Sequence, residues 1–268
     1  MDRRPDVRRS GARVGKPPPA SMEWAWFFDI DGTLVEIASL PSRIIVHDEL
    51  LRAIARLHVL TGGAVSLITG RAISDVDRIF DLPEISVAGQ HGLELRVAGG
   101  NITSHPVPEE ALRLLRDELS SSIAGRPGLV AEFKGMSIAL HYRMAPALAG
   151  YSHTLLRSLG AKYAPDFVIQ KGKRVVELKP VGADKGEVIR RLMTTDPFAG
   201  RTPVFVGDDL TDEAGFAIVN EMAGHSIKVG SGPTCARFRL TTVSQVRRWL
   251  AEGTEREESI GYPGSEHQ

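Results

Sequence analysis

The chain has 268 residues, of which 42% are hydrophobic and 25% charged, and its 33 basic side chains balance its 33 acidic ones. This length allows one large domain or two modest ones, and the absence of net charge excludes a global field that would favour nucleic acid or membrane. The single Cys235 excludes an internal disulfide, and no apolar run reaches the roughly 20 residues that span a bilayer, so a cytoplasmic protein without nucleic-acid or membrane partners is expected.

Residues 1–21 carry Arg3, Arg4, Arg8, Arg9, Arg13 and Lys16, then three prolines, and read as a disordered basic tail. Trp24 to Phe28 reads as a buried strand that ends in Asp29-Ile30-Asp31-Gly32-Thr33. Asp48 to His58 has helical spacing at Leu50, Leu51, Ile54, Ala55 and Leu57. Ala64 to Ile68 is a second strand, closed by Thr69-Gly70-Arg71. Ser74 is a candidate cap for a helix with Val76 and Ile79 on its apolar side. Ile85 to Ala88 is a third strand, followed by Gly89-Gln90-His91-Gly92 and then a hairpin across Gly99-Gly100. This βαβαβ order predicts a doubly wound parallel sheet.

The pattern then changes to α-β-β-α-β-β. A helix follows Pro108 with Ala111, Leu112, Leu114, Leu115 and Leu119 on one side. Strands are expected over 129–134 and 137–143, a helix over 147–159, and strands over 167–171 and 174–179. This block reads as an inserted α+β module. The first pattern resumes with a helix over 186–193, a strand over 203–206 ending at Gly207-Asp208-Asp209, a helix over 213–219, a strand over 226–229 and a helix over 244–250. The expected organisation is a discontinuous core over 22–105 and 181–252, a cap over 106–180, and a disordered tail over 253–268.

In an open α/β sheet, chemistry gathers at the carboxyl ends of the strands. Asp29, Asp31, Thr69, His91, Asp208 and Asp209 all fall at such ends. Paired carboxylates can hold a divalent metal and serve as nucleophile and proton donor. The plainer alternative for Asp29 and Asp31 is a strand closed by a polar Asp-Gly turn. Asp208 to Glu213 packs four acids into six residues, either an exposed acidic loop or a cluster whose repulsion a cation relieves. Lys185 opens a helix and could neutralise a phosphate oxygen, and Thr69 offers a hydroxyl for the same purpose.

Asp29-Ile30-Asp31-Gly32-Thr33, the strand-end Thr69, Lys185 and Gly207-Asp208-Asp209, in that order, resemble the haloacid-dehalogenase superfamily. The resemblance implies a phosphotransferase with a Rossmann-like core, in which Asp29 is the nucleophile, Asp31 the general acid and base, and Lys185 a charge-neutralising catalytic partner. It implies Mg²⁺ held by Asp29, the main-chain carbonyl of Asp31 and Asp208, with Asp209 and Asp212 acting on metal waters or on Lys185. Thr69, Gly70 and Lys185 would bind phosphate. The insertion resembles the larger cap type of the superfamily, the αββαββ or C2 kind.

A narrower resemblance spans nearly all of residues 24–250. Ile68-Thr69-Gly70-Arg71, Gly89-Gln90-His91-Gly92-Leu93-Glu94, Glu132-Phe133-Lys134-Gly135, His141-Tyr142-Arg143, Val176-Glu177-Leu178-Lys179-Pro180 and Gly207-Asp208-Asp209-Leu210-Thr211-Asp212-Glu213 resemble the trehalose-6-phosphate phosphatases. By that resemblance the substrate is trehalose 6-phosphate; a monomer is expected. Arg71, Gln90, His91, Glu132, Lys134, His141, Arg143 and Glu177 would bind the substrate. Read from the residues alone, Glu132 and Arg143 could instead pair across strands, and His91 could be a structural histidine bonded to its own turn. The rival functions are a related phosphatase for sucrose or mannosylglycerate phosphate and a non-catalytic sugar-phosphate sensor.

Overall fold

A computed structural model of the chain describes residues 15–37, 44–106, 108–134, 136–181 and 184–261. The first elements are β1 (Trp24–Phe28), α1 (Asp48–Leu60), β2 (Val65–Ile68), α2 (Ile73–Phe80) and β3 (Ser86–Gly89), in the expected order. The hairpin is β4 (Glu94–Arg96) and β5 (Thr103–Ser104). The insertion follows as α3 (Glu109–Ile123), β6 (Val130–Phe133), β7 (Ile138–His141), α4 (Ala149–Tyr163), β8 (Phe167–Gly172) and β9 (Val175–Pro180). The chain then returns through α5 (Lys185–Leu192), β10 (Thr202–Gly207), α6 (Glu213–Glu221), β11 (His225–Val229), β12 (Phe238–Leu240) and α7 (Val243–Gly261).

The larger sheet has the order β12-β11-β10-β1-β2-β3-β4-β5. The pairings from β12 through β3 are parallel, and β3-β4 and β4-β5 are antiparallel. The parallel part is covered on both faces, which is why its strands are continuously apolar. Alternate residues of β1 serve opposite sides. Trp26 and Phe28 pack with Leu50, Ile54, Phe80 and Trp249 from α1, α2 and α7, whereas Phe27 packs with Ile189, Phe216 and Val219 from α5 and α6. Strand β1 thus lies between β2 and β10, two strands reached in opposite directions along the sheet. The crevice at their carboxyl ends is the topological switch point.

The smaller sheet has the order β6-β7-β9-β8, all antiparallel. Its alternation divides the residues cleanly. Ile138, Leu140, Val176 and Leu178 pack on Leu112, Leu115 and Leu119 of α3 and on Leu156 and Leu159 of α4. The opposite face carries two cross-strand rows. One is Glu132, Ala139, Glu177 and Gln170, and the other is Val130, His141, Val175 and Gly172.

Four sequence expectations need correction. Ser74 does not cap α2, which begins one residue earlier. The cap comes from a distant residue, because the Glu94 carboxylate accepts from the Ile73 N–H at 2.7 Å. Strand β12 was not expected, since three residues after a Gly/Ser/Pro-rich loop carry too short a pattern. The tail expected over 253–268 continues α7 as far as Gly261, with Thr254 buried. At the other end, Gly15 pairs with the β12 edge and the Pro18 carbonyl accepts from Trp249 Nε1 at 2.8 Å. Residues 15–21 therefore lie against the core, and the six basic residues expected in that tail lie outside the described residues apart from Lys16.

Candidate active site

The parallel register brings three strand ends level. Asp29 follows β1, its N–H donating to Val206 of β10 at 2.9 Å. Thr69 follows β2 and donates to Ala88 of β3 at 2.9 Å. Asp208 follows β10. Between Asp29 and its neighbours the chain turns tightly at Gly32, whose φ is +87°. A Cβ at that position would collide with the Asp208 carboxylate. The Asp-Gly pair is therefore needed twice, for the turn and for the approach of the acids.

Carboxylate oxygens of Asp29, Asp208 and Asp212 lie within 4.8 Å of one another. Lys185 Nζ, at the start of α5 and only 2% exposed, donates to Asp29 Oδ1 and to Asp212 Oδ1, each at 2.6 Å. Asp212 Oδ2 accepts from the Asp209 N–H at 2.8 Å, and the Asp209 side chain caps the same turn in return. Lys228 Nζ holds the Asp208 carbonyl. Burial pushes the Asp29 carboxyl well above its ordinary value, reinforced by Asp212 and Asp208 against the pull of Lys185. Burial, with Asp212 and Asp209, pushes Asp208 up to about 7. The lysine is held above its ordinary range because the two carboxylates outweigh its burial. Two buried acids and the half-buried Asp208 outnumber Lys185 and Lys228 and leave negative charge in excess, and hard oxygen donors of this kind fit a divalent cation such as Mg²⁺.

Beside this cluster, Thr69 Oγ1 accepts from the Arg71 N–H at 3.2 Å. Arg71 grips Asp31 with two bonds of 2.7 and 2.8 Å, the fork geometry that fixes a carboxylate in direction as well as position. Gly70 leaves room for His91, whose Nε2 would stand 2.7 Å from a Cβ there.

The cap supplies the facing wall. Glu177 accepts from Ser137 Oγ at 2.6 Å, faces His91 Nε2 at 3.3 Å and lies 3.6 Å from Lys134 Nζ. Burial opposes its charge, but Lys134, His91 and Ser137 more than offset this and hold it well below the usual carboxylate range. Burial lowers His91. Glu132 pairs with His141 Nε2 at 2.8 Å, and that bond together with Lys134 overcomes its own burial to keep its carboxyl low. A cavity of about 530 Å³ lies between cap and core. Its walls include Asp29, Asp31, Thr69, Gly70, Arg71, His91, Lys185, Asp208 and Asp209 from the core, and Glu132, Lys134, His141, Arg143 and Glu177 from the cap.

Several site residues stand elsewhere than expected. Gln90 does not reach the cavity: it is 1% exposed, and its amide is spent on Glu94 and on the Met136 N–H. It cannot bind substrate while those bonds hold. Asp212 also lies behind the cavity wall, on Lys185, and the side chains of Asp31 and Asp209 are turned to Arg71 and to a turn N–H rather than into the acid cluster. The alternative of a cross-strand Glu132–Arg143 pair is not what forms: Glu132 pairs with His141. Gln170, Lys173, Ile37 and Met144 line the cavity without having been singled out, and the Gln170 Nε2 is buried without a partner. Lys228 could have been found, since a lysine inside the apolar strand Ser226-Ile227-Lys228-Val229 needs a buried acceptor.

The fold is that of the haloacid dehalogenase-like hydrolases. A haloacid dehalogenase-like hydrolase from Bacteroides thetaiotaomicron superposes with a TM-score of 0.62 at 15% identity, over 87% of this chain and 98% of that one. The trehalose-phosphatase family model matches residues 27–244. A trehalose-6-phosphate phosphatase of Escherichia coli (strain K12) is 43% identical over 233 residues, 87% of each chain. The C-terminal domain of a Candida albicans trehalose-6-phosphate phosphatase has the same fold, with a TM-score of 0.75 at 23% identity, over 86% of this chain and 91% of that one. The chain belongs to the trehalose-phosphatase family.

Proposed function

We propose that this chain hydrolyses trehalose 6-phosphate to trehalose and phosphate. The observation that carries the reading is a single cavity with the Asp29–Lys185–Asp208 cluster on one side and a hydrogen-bonding cap face on the other. The core over 22–105 and 181–252 performs the phosphoryl chemistry, and the cap over 106–180 recognises the sugar.

An Asp29 oxygen attacks phosphorus, forming an aspartyl-phosphate as the bond to the sugar oxygen breaks. Asp31 enters this step protonated, which needs one of its oxygens to leave the Arg71 fork, and gives that proton to the sugar oxygen. Asp31 then takes a proton from water, which attacks the aspartyl-phosphate and releases phosphate and Asp29. Thr69, the Gly70 main chain and Lys185 carry the charge of the phosphate oxygens. Asp29, the Asp31 carbonyl and Asp208 would hold Mg²⁺, with Asp209 and Asp212 behind them. The ion supplies positive charge that offsets the acid cluster and the phosphate. Glu132, Lys134, His141, Arg143 and Glu177 offer the donors and acceptors that a disaccharide's hydroxyls need.

A cytoplasmic monomer without nucleic-acid or membrane partners completes this reading, and light scattering tests the monomer. Among the described residues no helix is long and apolar enough to cross a membrane. Phosphate release with Mg²⁺ is expected to be much faster from trehalose 6-phosphate than from glucose 6-phosphate, sucrose 6-phosphate or mannosylglycerate phosphate. Equal rates would refute the sugar assignment, and tight binding without turnover would favour a sensor.

A further inference from the structure

We propose that Gln90 is a positioning residue that ties the cap to the phosphate-binding turn. The proposal rests on the reading above, in which cap and core must act on one substrate. Gln90 and His91 adopt consecutive left-handed conformations, with φ of +48° and +59°. Side chains rarely take that region, so the turn is held by what surrounds it. Its main chain faces the core: Gln90 N–H donates to the Arg71 carbonyl at 2.7 Å, and His91 N–H donates to the Thr69 carbonyl at 2.8 Å. Both ends of Thr69-Gly70-Arg71 are thereby pinned.

The side chains of the same two residues face the cap. Gln90 Oε1 accepts from the Met136 N–H at 3.1 Å, in the loop between β6 and β7. His91 reaches Glu177 on β9. Met136 also packs on Leu93, both buried. The other end of the Gln90 amide donates to Glu94 Oε1 at 2.7 Å, and Glu94 Oε2 caps α2 at the Ile73 N–H. An unbroken line therefore runs from Met136 in the cap, through Gln90 and Glu94, to the first turn after Arg71. Arg71 in turn steers Asp31. A shift of the cap loop must either break a buried hydrogen bond or move the turn that holds phosphate and the acid–base carboxylate.

The arrangement of donors allows a decisive test. Gln90→Met removes both side-chain bonds but leaves the main-chain bonds to Thr69 and Arg71. Glu94→Gln sets two amides against each other. The double variant Gln90→Glu/Glu94→Gln exchanges donor and acceptor and can rebuild all three bonds, to Met136, to Ile73 and between the two side chains. With MgCl₂ present, kcat and KM are measured for trehalose 6-phosphate and for p-nitrophenyl phosphate, which has no sugar for the cap to hold. Each single variant is expected to lower the ratio of the two kcat/KM values about ten-fold, as for a lost buried hydrogen bond, and the double variant is expected to restore it.

Single variants that leave the ratio unchanged overturn the proposal, as does a double variant that restores nothing. A loss confined to Gln90→Met and unrepaired in the double variant identifies a direct sugar contact and also overturns it. Wild-type protein that is inactive on trehalose 6-phosphate while hydrolysing p-nitrophenyl phosphate refutes the substrate reading instead. The ratio is then read on the best sugar phosphate of the panel.

Discussion

Replacing Lys185 by methionine keeps the length of the side chain and removes its charge. Asp29 and Asp212, both buried, each lose a 2.6 Å partner. Stranding buried charge in this way costs about 3–5 kcal/mol. For a chain of this size that lowers Tm by roughly 6–20 °C. The sign of the pH dependence follows from Asp29, which burial already raises and which loses Lys185, the cation that pulls it down. A carboxyl raised in the folded state keeps its contribution below the unfolded value of about 4 and loses it as pH rises through the folded one. The deficit of Lys185→Met should therefore widen from pH 5 to pH 8. A bound cation returns the missing charge, so the Tm gain on adding MgCl₂ should be larger in the variant than in wild type. Turnover should fall by about 10²–10³ as the charge stabilisation is lost. Thermal melts in EDTA and in MgCl₂ across that pH range, with phosphate release alongside, measure all of this. An unchanged Tm in EDTA, or a deficit that narrows with rising pH, would refute the argument that Lys185 holds the acid cluster together.

Asp29→Asn should fold and still melt cooperatively but lose turnover by about 10⁴-fold or more, measured as phosphate release; retained activity would remove it as nucleophile. Gly32→Ala places a methyl group against the Asp208 carboxylate at a left-handed position, so it should weaken cation binding about ten-fold in a Mg²⁺ titration of Tm. Glu177→Gln removes a carboxylate held below its ordinary range, whose stabilisation is present above the unfolded value of about 4.3 and is lost as pH falls below it. The gap in urea midpoint between wild type and this variant should thus narrow from pH 7 towards pH 3.

The core was readable because its local signals agree. Trp24 to Phe28 is continuously apolar since both faces of β1 are covered, and the acids that follow can only lie at its carboxyl end. The cap strands were marked by strand-like runs separated by Gly135 and by Gly172-Lys173. What escaped was set by partners distant in sequence. Ser74 matches the local rule for a helix cap, but Glu94, 21 residues beyond Ile73, takes that place. Gln90 stands in a motif full of functional residues, yet its amide is consumed by Glu94 and Met136, 46 residues on. Such pairings leave no periodic trace. Residues 253–261 look polar and tail-like, yet the helix continues through them, and the close approach of Gly253 to Ala20 ties its middle to the core.

The two faces of the cap sheet have a consequence for how this family can change. Residues 130, 132, 139, 141, 170, 172, 175 and 177 form the two rows opposite the helices, while their immediate neighbours 131, 138, 140, 176 and 178 belong to the cap's own core. Stability and recognition are thereby written on alternate letters of the same four strands. A substitution on one parity can alter what the cavity accepts and leave the packing beneath it untouched. Inserting a single residue within a strand would exchange the two sets at once. New sugar preferences can arise here by point replacement, whereas changes in strand length are closed to the cap.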